Sequence, residues 1–199
     1  MGSRGHGPRS FDAVEVGQRE TDAWAAYYRH DWLTFLRASV GMVAAGFGMN
    51  RRDTLRGAWL VLRANQAWAP FPDNDPVRAR ALMRDFYALV ESTSDLDLDP
   101  GRAAALEVEW WRVHREHQHD GAVTTDQLVG ALVDLYTYVY AAEPARVRPA
   151  AERRVEAMDL SDRWVRAGCA LDDPLLAAER RALVASYAAL LAAVGRVST

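Results

Sequence analysis

Between Glu107 and Asp120 the chain reads Glu-Val-Glu-Trp-Trp-Arg-Val-His-Arg-Glu-His-Gln-His-Asp. Three of the five histidines and two of the seven tryptophans fall in this one stretch. An imidazole changes charge near neutral pH and is a common metal ligand. A carboxylate beside it fixes its tautomer or adds a further ligand. The stretch therefore has the makings of an acid–base or metal site, although it spells no known motif.

Projection at the helical repeat sorts these residues. On a helix over 100–118, Ala103, Leu106, Trp110 and Val113 form an apolar stripe that His117 continues. His114 lies beside the stripe, and Glu107, Trp111 and Gln118 occupy the adjoining flank. Glu109, Arg112, Glu116 and His119 project the other way. The spacing Glu116-x-x-His119 resembles half of a di-iron carboxylate signature, but it faces solvent and its second copy is absent. Glu107 and His114 stack two turns apart, while His114 and His117 are close enough to converge. Either pair offers two metal ligands and needs more from neighbouring helices. The plainer alternative is a boundary histidine held by a carboxylate or a carbonyl.

Other polar residues also fall on apolar faces, where burial without a partner costs roughly 1–3 kcal/mol. Asp31 lies among Trp24, Tyr28, Phe35 and Met42, and Asp162 among Ala151, Val155, Met158 and Val165. Gln66 sits between Leu55, Trp59 and Leu62, with Arg63 next to it. Each can be half of a structural pair, with Arg29, Arg63 or Arg166 as partner. Taken together, Asp31, Glu107, His114, His117 and Asp162 are the candidate catalytic set, and clusters of this kind are enriched at functional sites. Arg63, Gln66, Trp59 and Trp111 are the candidate ligand-binding residues. Most of the tryptophans should be core; the rest can line a flat pocket for an aromatic ligand.

The elements that would position these groups are helical almost throughout. Asp75-Pro76, Asp99-Pro100 and Asp173-Pro174 each read as a capping aspartate followed by a first-turn proline. Asp53 and Thr125 are further capping candidates. The pattern predicts seven helices, at about 21–48, 53–68, 76–92, 100–118, 126–142, 149–167 and 174–195. The first is expected to break near Gly41 or Gly46, if anywhere. Its small residues, Gly41, Ala44, Ala45, Gly46 and Gly48, would let a neighbouring helix or a ligand approach closely. Helices 53–68 and 126–142 are apolar on most sides and should be central, giving an all-α, single-domain helical bundle over 11–199. Residues 1–10 read as a disordered tail.

Composition narrows the function classes. The net charge of −3 and a pI near 6.0 leave no whole-domain footprint for nucleic acid. All 24 basic residues are arginine, so Schiff-base and lysine-base chemistry are excluded. Cys169 is the only cysteine, so no disulfide forms within the chain, which fits a reducing compartment. No secretory signal or membrane-spanning run is apparent, and the expected location is cytoplasmic. Phosphate-binding glycine loops, Gly-x-Ser-x-Gly, His-Glu-x-x-His and Cys-x-x-Cys are missing.

Two readings follow. The first is a small-molecule-binding helical bundle, as an enzyme using the buried carboxylates and histidines for acid–base or metal-dependent chemistry; no cofactor is specified. The second is a non-catalytic interaction protein, a homodimer or assembly subunit that associates through the alanine-rich face of the last helix.

Overall fold

The structure, a computed structural model, describes residues 7–119 and 123–195. Asp120 and residues 1–6 of the expected tail lie outside the described residues. Among the described residues there are eight helices and no strand: α1 (Ala13–Tyr28), α2 (Trp32–Phe47), α3 (Arg51–Trp68), α4 (Pro76–Thr93), α5 (Pro100–His119), α6 (Thr125–Tyr140), α7 (Pro144–Arg166) and α8 (Pro174–Val194).

The helix starts are written locally. Asp12, Asp31, Asn50, Asp75 and Asp173 each accept a backbone N–H of the first turn, and Thr124 forms a full capping box with Gln127. Asp99 does the same for α5, accepting from Arg102 N at 2.6 Å. All three Asp-Pro pairs open helices as expected. Two starts differ. Asn50 and Thr124 are the caps rather than Asp53 and Thr125. α7 begins at Pro144, so Pro149 lies inside the helix instead of opening it.

The expected first helix is two. The break falls at Arg29–Asp31, not at a glycine, with His30 in the left-handed region (φ 56°). Asp31 Oδ1 accepts from Thr34 N at 3.1 Å and Oδ2 from Thr34 Oγ1 at 2.6 Å. This corrects the expectation that Asp31 is buried on an apolar stripe: it is the exposed cap of α2.

Each helix packs on the next in sequence, and α8 returns to pack on α1, closing a ring. Short connections make neighbours antiparallel. The last residues of α1, α3, α5 and α7 therefore gather at one end, which we call the mouth. The last residues of α6 and α8 lie at the other end, the floor. There Arg9 donates to Tyr140 O (2.7 Å) and Val194 O (3.3 Å), and Phe11 meets the Tyr187 ring edge-on. Residues 7–11 are thus a tethered segment across the floor rather than part of a loose tail.

A ring has no central helix. α6 buries the face that carries Leu128, Leu132, Leu135 and Val139, and α3 exposes Leu55 and Trp59 on the outer face. Closure depends on one small residue that sequence inspection passed over. A Cβ on Gly17 of α1 would lie 2.8 Å from the backbone of Val184 on α8. The glycines singled out on α2 meet only side chains, Arg19 at Gly41 and Val16 at Gly46. Beside this seam, Ser186 of α8 donates to Ala150 O of α7 at 2.8 Å.

No helix among the described residues is long and apolar enough to cross a membrane.

The seam gives a direct test. Gly17→Ala should lower unfolding stability by about 1–3 kcal/mol, because backbone rather than a side-chain tip must move. Chemical denaturation reads this out, with Gly46→Ala as the tolerated control, since its nearest neighbour is Val16 Cγ2 at 3.8 Å.

Candidate functional site

The ring surrounds two adjoining cavities. The chamber at the mouth is about 460 Å³ and the inner chamber about 200 Å³. Trp24, Phe35, Asn65, Trp110 and Trp111 line both. All eight helices contribute to the inner chamber.

At the mouth, α5 and α7 bring together an imidazole, a carboxylate and an amide. Asp162 is buried, with 7% exposure, and its two oxygens are divided. Oδ1 accepts from Gln118 Nε2 at 2.5 Å, and Oδ2 lies 3.5 Å from His114 Nε2. Gln118 also donates to the Tyr28 hydroxyl at 3.0 Å, which ties α1 to α5 and α7. Burial, with the Asp162 charge adding to it, holds the Tyr28 phenol well above its ordinary pKa. Arg115 donates to Tyr27 at 3.1 Å and lies over the rings of Trp68 and Phe71. His114 Nε2 is buried and makes no hydrogen bond within normal geometry.

The inner chamber holds a second polar group, braced across the ring. Arg154 of α7 forms a two-point pair with Glu20 of α1, through Nη1–Oε2 at 3.0 Å and a shorter Nη2–Oε1 contact. Its guanidinium lies over Trp24, Trp110 and Tyr187 and donates to the Tyr187 hydroxyl at 3.3 Å. Burial opposes the Arg154 charge, but Glu20, with Tyr136 and Tyr187, more than offsets it, so Arg154 stays protonated. Glu107 accepts from the Tyr87 hydroxyl at 2.7 Å and from Trp111 Nε1 at 3.1 Å. Burial still raises its carboxyl above the usual range despite these bonds and the nearby Arg154. Burial likewise raises Tyr87, Tyr136, Tyr140 and Tyr187, which keeps them neutral hydroxyls.

The expected residues separate. His114, Asp162 and Trp111 face the cavity together, and Glu107 faces its inner part. His117 does not: its Nδ1 contacts Val123 O at 2.9 Å and its Nε2 lies 3.5 Å from Asp159, so it secures the link between α5 and α6. Asp31 is outside, as described. Arg63, Gln66 and Trp59 are also absent from the lining. The reason is the rotation of α3. Its inward face is Val61, Asn65 and Trp68, so Asn65 reaches the cavity in place of Gln66. Trp59 is 52% exposed and Arg63 lies over it at 5.8 Å.

The site groups that sequence reasoning passed over are Glu20, Arg154, Tyr87 and Tyr187. Arg154 falls on the same apolar stripe as Ala151, Val155 and Met158, so the projection that selected Asp162 also pointed to it. Glu20 was missed because the first helix was expected to start after it.

Metal chemistry has little geometric support. The pairs His114–Asp162 and His117–Asp159 are separate, and no group of three His, Cys, Asp or Glu side chains suited to a metal ion occurs among the described residues.

Another buried carboxyl lies outside the cavity. Glu179 on α8 is fully buried, and neither of its oxygens has a geometric hydrogen-bond partner among the described residues. Burial pushes its pKa up to about 8, with Ser161 only partly compensating. The folded chain then holds a proton that the unfolded chain releases near pH 4.5. Stability from this group is fully present below that pH and is lost as pH rises through about 8. Glu179→Gln should remove up to about 1.4 kcal/mol per pH unit from that slope, measured by denaturation at several pH values.

The Glu20–Arg154 brace gives a second expectation. Arg154→Met alone should cost about 3–5 kcal/mol, and Glu20→Met combined with Arg154→Met should recover much of it, in a denaturant double-mutant cycle.

No protein-family model matches this chain, and neither a curated protein nor a solved structure is detectably similar to it.

Proposed function

We propose that this chain binds a small, largely aromatic molecule inside its helical ring and acts on it by proton transfer at His114. The observation that carries this reading is the combination of an interior cavity with a buried, unbonded His114 Nε2 placed 3.5 Å from Asp162 on its wall. Aromatic walls favour a flat ligand, and a mostly apolar cavity with a few fixed polar groups is the usual form of a small-molecule site. Asp162, locked by Gln118, lies 3.5 Å from Nε2 and orients the imidazole, the group in this scheme that takes a proton from the ligand and returns it. Asp162 and Gln118 are positioning residues in this scheme. Glu107 faces the inner end, held by Tyr87 and Trp111, and burial raises its carboxyl above the usual range.

A screen of one- and two-ring aromatic compounds by ligand-observed NMR tests this reading. Hits should compete with one another and should be lost in Ala69→Trp, which fills the mouth. A compound that is turned over should still bind to His114→Ala but should no longer be converted. A library without hits, or hits indifferent to Ala69→Trp, would remove the reading.

The interaction-protein reading draws on one feature: α8 exposes Ala177, Ala185, Ala188 and Ala192 along its outer face. A solution mass of twice the chain that falls to the monomer value on Ala185→Arg would favour it; a monomer of the wild type would oppose it.

A further inference from the structure

The mouth chamber carries a cation that no carboxylate balances. Arg115 follows His114 on α5 and lines the same chamber. Its surroundings hold it in place. Nη2 donates to the Tyr27 hydroxyl at 3.1 Å, and the guanidinium lies over Trp68 and Phe71, 5.5 and 5.3 Å from the ring centroids. These partners fix the group without neutralising it, because burial raises the Tyr27 phenol above its ordinary pKa even against the pull of Arg115. Arg115 forms no ion pair among the described residues. Arg166 of α7, exposed at the same chamber, forms none either, although Asp162 stands one turn before it. The guanidinium keeps further N–H donors beyond the one Tyr27 accepts, and the phenol keeps its own proton to give.

Charge and shape narrow the ligand. With neutral imidazoles, the chamber wall sets two arginines against one carboxylate, Asp162. That carboxylate is already turned to Gln118 and His114. A cationic ligand would be repelled by the arginines, and a dianion would exceed the one positive charge left over. A singly charged carboxylate matches it, and the edge of a guanidinium binds a carboxylate through paired N–H···O bonds. Arg115 is already held, so little side-chain freedom is lost when it takes up the anion. Trp24, Phe35, Trp68 and Trp110 stand on the same walls and suit flat rings. A volume of about 460 Å³ well exceeds the roughly 150 Å³ of a cavity known to admit benzene, so two fused rings have room.

We infer that the ligand is an aromatic carboxylic acid, bound as its monoanion with the carboxylate on Arg115 and Tyr27 and the rings against the tryptophan wall. Arg115 and the Tyr27 hydroxyl are bonded to each other, so one carboxylate reaches both. The inference rests on the ligand-binding reading above and names the substrate class for that site. A ligand whose rings meet Trp110 lies beside His114, since the two ring centroids are 6.5 Å apart. Arg115 and Tyr27 are binding residues in this arrangement, and Arg166 adds positive charge at the rim.

Four compounds on one skeleton separate the possibilities: 1-naphthoate, 1-naphthamide, 1-naphthylmethylamine and 1-naphthyl phosphate. Each is titrated by ligand-observed NMR against the full chain and against Arg115→Gln and Arg115→Lys, with melting temperatures confirming the fold of the variants. The carboxylate should bind the wild type about tenfold more tightly than the amide, the effect of one charge-assisted hydrogen bond. Arg115→Gln should abolish most of that preference and leave the amide unchanged, while Arg115→Lys, which keeps the charge, should retain part of it. Equal binding of amide and carboxylate by the wild type, or a carboxylate preference untouched in Arg115→Gln, would overturn the inference while leaving the ligand-binding reading in place. Tightest binding by the amine or the phosphate would overturn it on charge. Failure of all four would sink both.

Discussion

Eight helices arranged as staves enclose more space than alanine and glycine can fill, and each helix touches only its two neighbours along most of its length. Long side chains therefore have to meet across the interior. The Glu20–Arg154 pair is the clearest case: it joins α1 to α7 past the intervening α8, and three aromatic rings hold the guanidinium flat. Gln118 performs the same service nearer the mouth, bridging Tyr28 and Asp162. Such a pair, taken out of water, stabilises little compared with an apolar filling, but losing one partner is severe. The constraint is thus as much about register as about energy. It fixes how α1, α7 and α8 are rotated, and that rotation decides which residues see the cavity.

Much of the architecture was legible because helix caps are local. Asp75, Asp99 and Asp173 act through contacts within one turn, so adjacent residues suffice to recognise them. The split between α1 and α2 was not legible even though its contacts are local. Nothing at Arg29-His30-Asp31 breaks a helix by composition; the exposed, left-handed His30 stacks on Trp32, and the turn closes through His30 N–H to Tyr27 O and Asp31 N–H to Ala26 O. Once that break was missed, Asp31 looked like a buried charge when it is a cap.

The site was half legible. His114, Glu107, Trp111 and Asp162 were found by asking why polar groups fall on apolar stripes, and that question concerns one helix at a time. Which of two neighbouring residues faces inward depends on how a helix is rotated by its partners. That is why Asn65 lies on the cavity and Gln66 does not, and why His117 turns to Val123 and Asp159. The Glu20–Arg154 pair lies beyond single-helix reasoning because each residue is explained only by the other, far away in sequence.

In the function we propose, His114 and Asp162 act at the mouth, and Trp110 and Trp111 line both the mouth and the inner chamber. The proposal needs the ring to be hollow in solution and its interior to be reachable. A crystal structure under xenon pressure tests this most directly, because xenon enters apolar cavities without needing a chosen ligand. Xenon should appear inside the ring, beside Phe86, Val139 and Trp110. An interior closed by inward-turned side chains, with no xenon bound, would contradict it.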